Sequence, residues 1–155
     1  MKERQYHTKI NSIEAGKRFA VVHKFDLIFS AEQNINIFRN ENKTMARITE
    51  NTSSSWTSTI LDFKEDKLGE SPLSIRRESK AMEISDIEAT LSILDFLGYK
   101  KDNTLRRNRW VYTKGDITIE IDEYLEPEAS FVLSIEGNDY DAVDVLYNEI
   151  SNGKF

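Results

Sequence analysis

The sequence predicts an α+β fold in which one antiparallel sheet of about eight strands is packed against two or three helices. Segments rich in alternating, β-branched and aromatic residues recur along most of the 155-residue chain. Turn-forming residues such as Lys114-Gly115-Asp116 separate these segments. Two other segments repeat apolar residues at helical spacing. The length fits a single domain that spans residues 1–155.

The strands of the first half are predicted from alternation and from β-branched and aromatic content. The polar runs 50–55 and 66–72 predict the loops between the later strands of this half. The predicted strands are residues 3–10, Arg18–Phe29, 35–38, 44–49, Trp56–Glu65 and Ser74–Ile84.

The second half predicts a helix, three strands and a further helix. Ser85 and Glu88 have the spacing of a capping box, and Gly98 fits the residue that ends a helix. Between these positions runs an apolar stripe of Ile87, Leu91, Leu94 and Leu97. Strands are predicted at 107–113, 116–125 and 130–137, and the last helix follows with Ala142, Val145, Leu146 and Ile150 as its apolar face.

The composition excludes several classes of protein. A formal net charge of −6 argues against a general nucleic-acid binder, which needs a basic surface. The absence of cysteine excludes disulfides, thiolate metal sites and a cysteine nucleophile. No apolar run approaches the length of a membrane span, and the start does not resemble a signal peptide. We therefore expect a cytoplasmic protein with no membrane partner.

Charged residues recur on one face of most predicted strands. Because side chains alternate along a strand, Arg76, Glu78 and Lys80 share one face of the Ser74–Ile84 strand. Two interpretations remain open. The sheet has a wet surface of mixed charge, or it closes on itself and turns these charges into a polar tunnel. The same spacing unites Arg107 with Arg109, Glu120 with Asp122, and Ser134 with Glu136.

A polar tunnel would predict a ligand that carries phosphate groups and a metal ion. Charged side chains withdrawn from bulk water must be paired or hold a ligand. Arginine and lysine bind phosphate oxygens, and arginine does so with two parallel hydrogen bonds. Carboxylates bind hard cations such as Mg²⁺ or Mn²⁺ through oxygen. Together these groups stabilise phosphoryl transfer.

The run from Met45 to Gly137 resembles the CYTH superfamily, also called triphosphate tunnel metalloenzymes. Weak motifs follow one another in the family's order. ARIT resembles Leu-Arg-x-Arg, LDFK resembles Leu-Thr-x-Lys, and RRESK resembles Arg-x-Glu-x-Glu. RRNRWVY resembles Lys-x-Arg-x-x-Tyr, and FVLSIEG resembles Phe-Leu-Glu-Ile-Glu-Gly. The resemblance implies an eight-stranded antiparallel tunnel, closed or nearly closed, with helices packed outside.

The motifs carry two sets of site residues over to this chain. The residues implied to bind substrate phosphates are Arg47, Lys64, Arg76, Arg107 and Arg109. The residues implied to bind metal are Glu3, Glu78, Asp122 and Glu136. The implied cofactor is Mg²⁺ or Mn²⁺, with one ion favoured over two. No catalytic acid, base or nucleophile is identified.

Several positions depart from the family pattern. The family begins with Glu-x-Glu-x-Lys, but Met1 and Gln5 occupy the first acidic position and the lysine position. Thr49 replaces the second arginine of its motif, and Lys80 and Ser134 each replace an acid. Each lost acid removes one metal ligand, so two-metal chemistry is not implied for this chain.

The superfamily includes class IV adenylate cyclases, thiamine triphosphatases and inorganic triphosphatases. The resemblance therefore implies binding of a nucleotide, thiamine triphosphate or tripolyphosphate, with phosphohydrolase or adenylate-cyclase-like activity. The altered acids leave open a non-catalytic module that binds or sequesters a nucleotide or polyphosphate at a degenerate metal site. A sheet that only contacts other proteins is the third alternative. Superfamily members often dimerise, so the resemblance also implies a homodimer as one assembly.

Overall fold

The structure is a computed structural model that describes residues 2–67, 69 and 71–153. Met1 and part of the predicted loop 66–72 lie outside the described residues. The elements are β1 (Lys2–Lys9), α1 (Ile13–Val22), β2 (Asp26–Arg39), β3 (Thr44–Thr52), β4 (Thr57–Glu65), β5 (Leu73–Arg77), β6 (Met82–Glu83), α2 (Ile87–Phe96), β7 (Lys100–Lys114), β8 (Ile117–Glu126), β9 (Ser130–Gly137) and α3 (Tyr140–Ser151).

All strands belong to one antiparallel sheet, which confirms the predicted α+β class. The sheet has nine strands in the order β5-β1-β9-β8-β7-β2-β3-β4-β6, whereas the sequence predicts about eight. Its two ends are β5 and β6, and no strand ladder among the described residues joins them. Closure of the sheet into a tunnel therefore stays a prediction.

The predicted strand Ser74–Ile84 is divided between the two ends of the sheet. Its first part forms β5 and pairs with β1, and its last part forms β6 and pairs with β4. Between them Glu78 makes an isolated bridge with Lys64 of β4, and the Ser79 N–H donates to the Phe63 carbonyl at 2.9 Å. The prediction of one continuous strand is wrong because this segment passes from one partner strand to another. Lys80 is consequently exposed and does not continue the inward row of Arg76 and Glu78.

The predicted strand Arg18–Phe29 is wrong in its first half, which belongs to α1. Ser12 caps this helix because its hydroxyl accepts a hydrogen bond from the Ala15 N–H at 3.1 Å. Phe19 and Ala20 on the buried helix face then enter the core with Ile13. The β-branched and aromatic content of 18–29 predicts a strand. The signals for a helix, the Ser12 cap and the first buried positions at helical spacing, lie before Arg18 and so outside this segment.

The helix predicted between Ser85 and Gly98 is confirmed as α2, with two corrections at its start and on its faces. Asp86 rather than Ser85 is the N-cap, because its carboxylate accepts from the Ala89 N–H at 2.9 Å. Gly98 ends the helix as predicted, with a φ of 86° that favours glycine. Of the predicted stripe only Leu94 is buried, whereas Ile87, Leu91 and Leu97 are exposed.

The helices pack on the outside of the sheet, and this leaves the other face free for polar side chains. The larger core cluster joins α1 and α3 to β8 and β9 through residues such as Phe19, Ile121, Leu133 and Val143. A second cluster places Leu94 of α2 on β3 and β4. On α3 the buried residues are Val143, Leu146 and Ile150, so the predicted face is shifted and Val145 is exposed.

None of the helices in residues 2–67, 69 and 71–153 is both long and apolar enough to cross a membrane.

The corrected face of α2 gives a stability prediction. Leu94 is 1% exposed and Phe96 is 90% exposed. We expect Leu94→Ala to lower the free energy of unfolding by about 2–5 kcal/mol, the usual cost of a cavity left by leucine. Phe96→Ala on the same helix should change it by less than about 0.5 kcal/mol, as for other exposed positions. Urea denaturation of both variants measures this, and similar losses would contradict the assigned buried face.

Candidate functional site

A cavity of about 300 Å³ lies on the face of the sheet that does not carry the helices. All strands except β6 contribute lining side chains, and where one strand contributes several they lie two or four residues apart, as the strand alternation requires. Its lining residues are Gln5, His7, Ile35, Ile37, Arg39, Met45, Arg47, Lys64, Arg76, Glu78, Asn103, Leu105, Arg107, Arg109, Glu120, Tyr124 and Glu136.

The structure brings most of the predicted site residues into this cavity. It is lined by the predicted phosphate-binding residues Arg47, Lys64, Arg76, Arg107 and Arg109 and by Glu78 and Glu136 from the predicted metal-binding set. Glu3 joins the last two, because carboxylate oxygens of Glu3, Glu78 and Glu136 all lie within 4.8 Å of one another. Residues distant in sequence are therefore neighbours here, although their roles in binding remain predictions.

Asp122 is not brought to this acidic cluster. Its two oxygens accept hydrogen bonds from Arg109 at 2.7 and 2.8 Å, and Arg107 lies 3.6 Å away. Burial alone would raise the pKa of Asp122, but Arg109 and Arg107 together hold it below its ordinary value. Arg109 also donates to Glu120, so this guanidinium is shared between two carboxylates. The pair has the character of a buried structural ion pair.

A second ion-paired group surrounds Arg47. Its Nε donates to Asp62 at 2.9 Å and its Nη2 donates to Glu78 at 2.6 Å. Lys64 lies 3.5 Å from the other oxygen of Glu78. Burial lowers the pKa of Lys64, and Glu78 opposes this effect. Glu78 therefore contacts two cations in addition to its acidic neighbours Glu3 and Glu136.

Arg76 has only neutral hydrogen-bond partners, as does Arg107, but Arg107 also lies 3.6 Å from Asp122. The Arg76 guanidinium donates to the Gln5 side-chain oxygen at 2.7 Å and to the Ser74 hydroxyl at 3.2 Å, and it lies 3.4 Å from His7 Nε2. Within the described residues no carboxylate lies within ion-pair distance of it. Burial lowers the pKa of Arg76, and the neighbouring Arg47 adds to this effect. Arg76 is thus a cation whose charge is not balanced by a direct acidic partner.

Gln5 links the cationic and acidic groups. The oxygen of its amide accepts from Arg76 at 2.7 Å and from Lys64 at 3.1 Å, while its nitrogen donates to Glu136. In the sequence, Gln5 stands out only as a departure from the family pattern. Its shared strand face with Glu3 and His7 is the signal that could have placed it in the site.

His7 is a neutral member of the cavity wall. Burial, together with the positive charges of Lys64 and Arg76, lowers the pKa of His7 to about 3. Its Nδ1 lies 2.7 Å from the hydroxyl of Ser134, one of the residues that replace a family acid. A neutral imidazole and a hydroxyl thus lie side by side, and the hydroxyl stands where the family pattern has a carboxylate.

Sequence reasoning missed further residues that hold the predicted ones in place. Arg107 donates from Nε to Gln33 at 2.7 Å and from Nη1 to the Tyr124 hydroxyl at 3.0 Å. Asp62 orients Arg47 and lies opposite it in the β3–β4 ladder. These partners depend on strand register, which the sequence alone does not specify.

The three clustered carboxylates have the chemistry of a site for one hard cation. Burial, together with the negative charges of Glu120 and Glu78, raises the pKa of Glu136 to about 8. Burial and Glu78 also raise the pKa of Glu3. The oxygens lie within 4.8 Å of one another, so the cluster is a candidate site for one hard cation, which would draw them closer together. Such an ion would relieve the repulsion among the carboxylates.

The fold is shared with solved structures of low sequence identity. A protein of Pyrococcus horikoshii OT3 matches with a TM-score of 0.73 at 19% identity, covering 94% of this chain and 86% of that chain. A candidate adenylate cyclase from Vibrio parahaemolyticus matches with a TM-score of 0.64 at 15% identity, covering 95% and 82%. A chain of the Schizosaccharomyces pombe Mediator head module matches with a TM-score of 0.66 at 12% identity, covering 98% and 94%.

No protein-family model matches the sequence, and no curated protein matches it either. The structural similarity shows that this chain shares its fold with these proteins, as the resemblance to the CYTH superfamily implies. A fold shared by a candidate cyclase and a Mediator chain does not specify one activity.

The raised pKa of Glu136 predicts a pH-dependent stability. The carboxyl keeps its proton in the folded protein up to about pH 8, whereas its ordinary pKa is 4.5. Its contribution to folding is therefore present at low pH and is lost as the pH rises between these values. Glutamine has no proton to lose, so Glu136→Gln should raise the Tm more at about pH 8 than at about pH 5.

Thermal denaturation in EDTA measures this difference without bound metal. Glu83→Gln, at an exposed position of β6, is the matched control and should show no such trend. A Tm difference that stays constant with pH, or falls as the pH rises, would contradict the assigned burial of the carboxyl.

Proposed function

We propose that this protein of the CYTH fold binds a triphosphate-containing small molecule together with one Mg²⁺ or Mn²⁺ in the cavity and acts on it as a phosphohydrolase or cyclase. One observation carries the proposal. Glu78 and Glu136 of the three-carboxylate cluster line the same cavity as Arg76, a cation with no ion-pair partner within the described residues. Phosphate and a divalent ion are the ligands that satisfy both groups at once.

The chain's own residues would bind the phosphates through the cations on its inner face. Arg76 has guanidinium hydrogens that now bond only to neutral acceptors, so a phosphate oxygen would be a stronger partner. Lys64 shares the Gln5 acceptor with Arg76 and would contact the same phosphate group. Arg107, held by Gln33 and Tyr124, would contact the next phosphate group along the cavity.

Glu3, Glu78 and Glu136 would hold the divalent cation. The ion would add positive charge at the phosphate oxygens, where negative charge accumulates during phosphoryl transfer. Glu136 would lose its proton when it becomes a ligand. The site would thus exchange a proton for a metal ion, and binding would be stronger at a pH at which this carboxyl is already ionised.

A second candidate function is binding without turnover. Asp122 is fully engaged by arginines, and Gln5 and Ser134 stand where superfamily members have charged residues. These features favour a site that holds a polyphosphate but lacks part of the chemistry. The same fold in a Mediator head module chain agrees with use of this fold outside catalysis.

A turnover assay separates the two candidates. Purified protein is incubated with ATP, thiamine triphosphate or tripolyphosphate and Mg²⁺ or Mn²⁺, and phosphate, pyrophosphate and cyclic AMP are all quantified. We expect metal-dependent product from the wild type and at least a tenfold lower turnover in Glu78→Gln. The exposed control variant Glu83→Gln should turn over at the wild-type rate. The product identifies hydrolysis or cyclisation. No product from a protein that the same ligands protect against thermal unfolding would establish the binding module.

Arg76 gives the sharpest binding prediction. Arg76→Met should weaken tripolyphosphate binding about tenfold to a hundredfold, because hydrogen bonds to charged groups contribute about 1.5–3 kcal/mol. Arg77→Met is the matched control, since Arg77 is exposed on the opposite face of the same strand. Isothermal titration calorimetry of both variants measures the affinities. Equal affinities in the two variants would remove Arg76 from the phosphate site.

A further inference from the structure

The cavity has an apolar wall beside its charged groups. Ile35 and Ile37 of β2, Met45 of β3 and Leu105 of β7 form one cluster, and all four line the cavity. The three strands are neighbours in the sheet, so the wall is continuous. The carboxylates that line the cavity come instead from β8, β9 and the residue after β5. The cavity is therefore amphipathic, with one apolar side.

This wall is not part of the core that holds the helices on the sheet. The clusters beneath the helices contain none of its four residues. Along β2 the inward positions are Gln33, Ile35 and Ile37, whereas Asn34 on the opposite face is exposed. This part of β2 thus follows the usual alternation of a half-buried strand, but its isoleucines line a cavity instead of packing under a helix.

The wall borders the proposed phosphate-binding residues directly. Leu105 lies two residues from Arg107 on the same face of β7, and Met45 lies two residues from Arg47 on β3. Ile37 is the ladder partner of Arg47. A ligand whose phosphates contact these arginines would place its other end on the apolar cluster. Water against such a wall has few hydrogen-bond partners, so an apolar group would replace it favourably.

We infer that the ligand is an organic polyphosphate ester whose apolar group contacts the wall of Ile35, Ile37, Met45 and Leu105, rather than inorganic polyphosphate. This inference rests on the proposed function and narrows its ligand class. The cavity of about 300 Å³ is at the lower end of small-molecule sites, which limits the apolar group to a few carbon atoms or a single ring.

A series of simple esters tests the inference. Tripolyphosphate and its methyl, propyl and pentyl monoesters are titrated into the wild type with Mg²⁺ by calorimetry. We expect affinity to rise about two- to fourfold for each added methylene that reaches the wall. Equal affinity for tripolyphosphate and all three esters would overturn the inference but leave the proposed function intact. No binding of any member, tripolyphosphate included, would overturn both.

Variants of the wall test whether the rise of affinity with ester length arises from contact with these residues. Ile37→Thr should flatten the dependence on ester length and leave the affinity for tripolyphosphate within about twofold. Asn34→Thr introduces the same side chain on the exposed face of β2 and should leave the dependence unchanged. Leu105→Gln, at a partly buried position of the wall, provides the same test if Ile37→Thr does not fold. If the affinity of the folded wall variants rises with ester length as steeply as that of the wild type, the apolar group does not contact this wall and the inference is overturned.

Discussion

The structure depends on one constraint, the pairing of charged side chains on the cavity-lining face of the sheet. A buried charge without a partner would cost several kcal/mol, so each cation on these strands must be matched from another strand. Arg109 meets Asp122 and Glu120 from β8, and Arg47 meets Asp62 from β4 and Glu78. Arg109 and Asp122, like Arg47 and Asp62, are ladder partners, so these pairs favour the observed register of their neighbouring strands.

The pairing is incomplete at one end, and the functional proposal follows from that imbalance. Arg76 has neutral partners, while Glu3, Glu78 and Glu136 lie together. Burial and repulsion from neighbouring carboxylates raise the pKa of Glu3 and of Glu136. A phosphate group would balance the charge of Arg76, and a divalent ion would balance the charge of the neighbouring carboxylates. The apolar wall adds a contact that neither inorganic group would use.

The sequence predicts the fold class and the inward residues well because both depend on alternation. Arg107 and Glu136 are placed in one cavity as their strand faces indicate. The errors arise where non-local contacts decide the outcome. Residues 18–22 are helical because Phe19 packs in the core, and 74–84 divides because it pairs with β1 and then with β4. The pairing of Asp122 with Arg109 and the role of Gln5 depend on register, which no local pattern specifies.

A crystal structure with a methylene-bridged triphosphate analogue and Mn²⁺ tests the central claim most directly. Anomalous scattering locates the manganese independently of the phosphate density. The account predicts one manganese peak between Glu3, Glu78 and Glu136, with a phosphate oxygen bonded to the Arg76 guanidinium. Manganese at Asp122 or elsewhere, or phosphate bound outside the cavity, would contradict it.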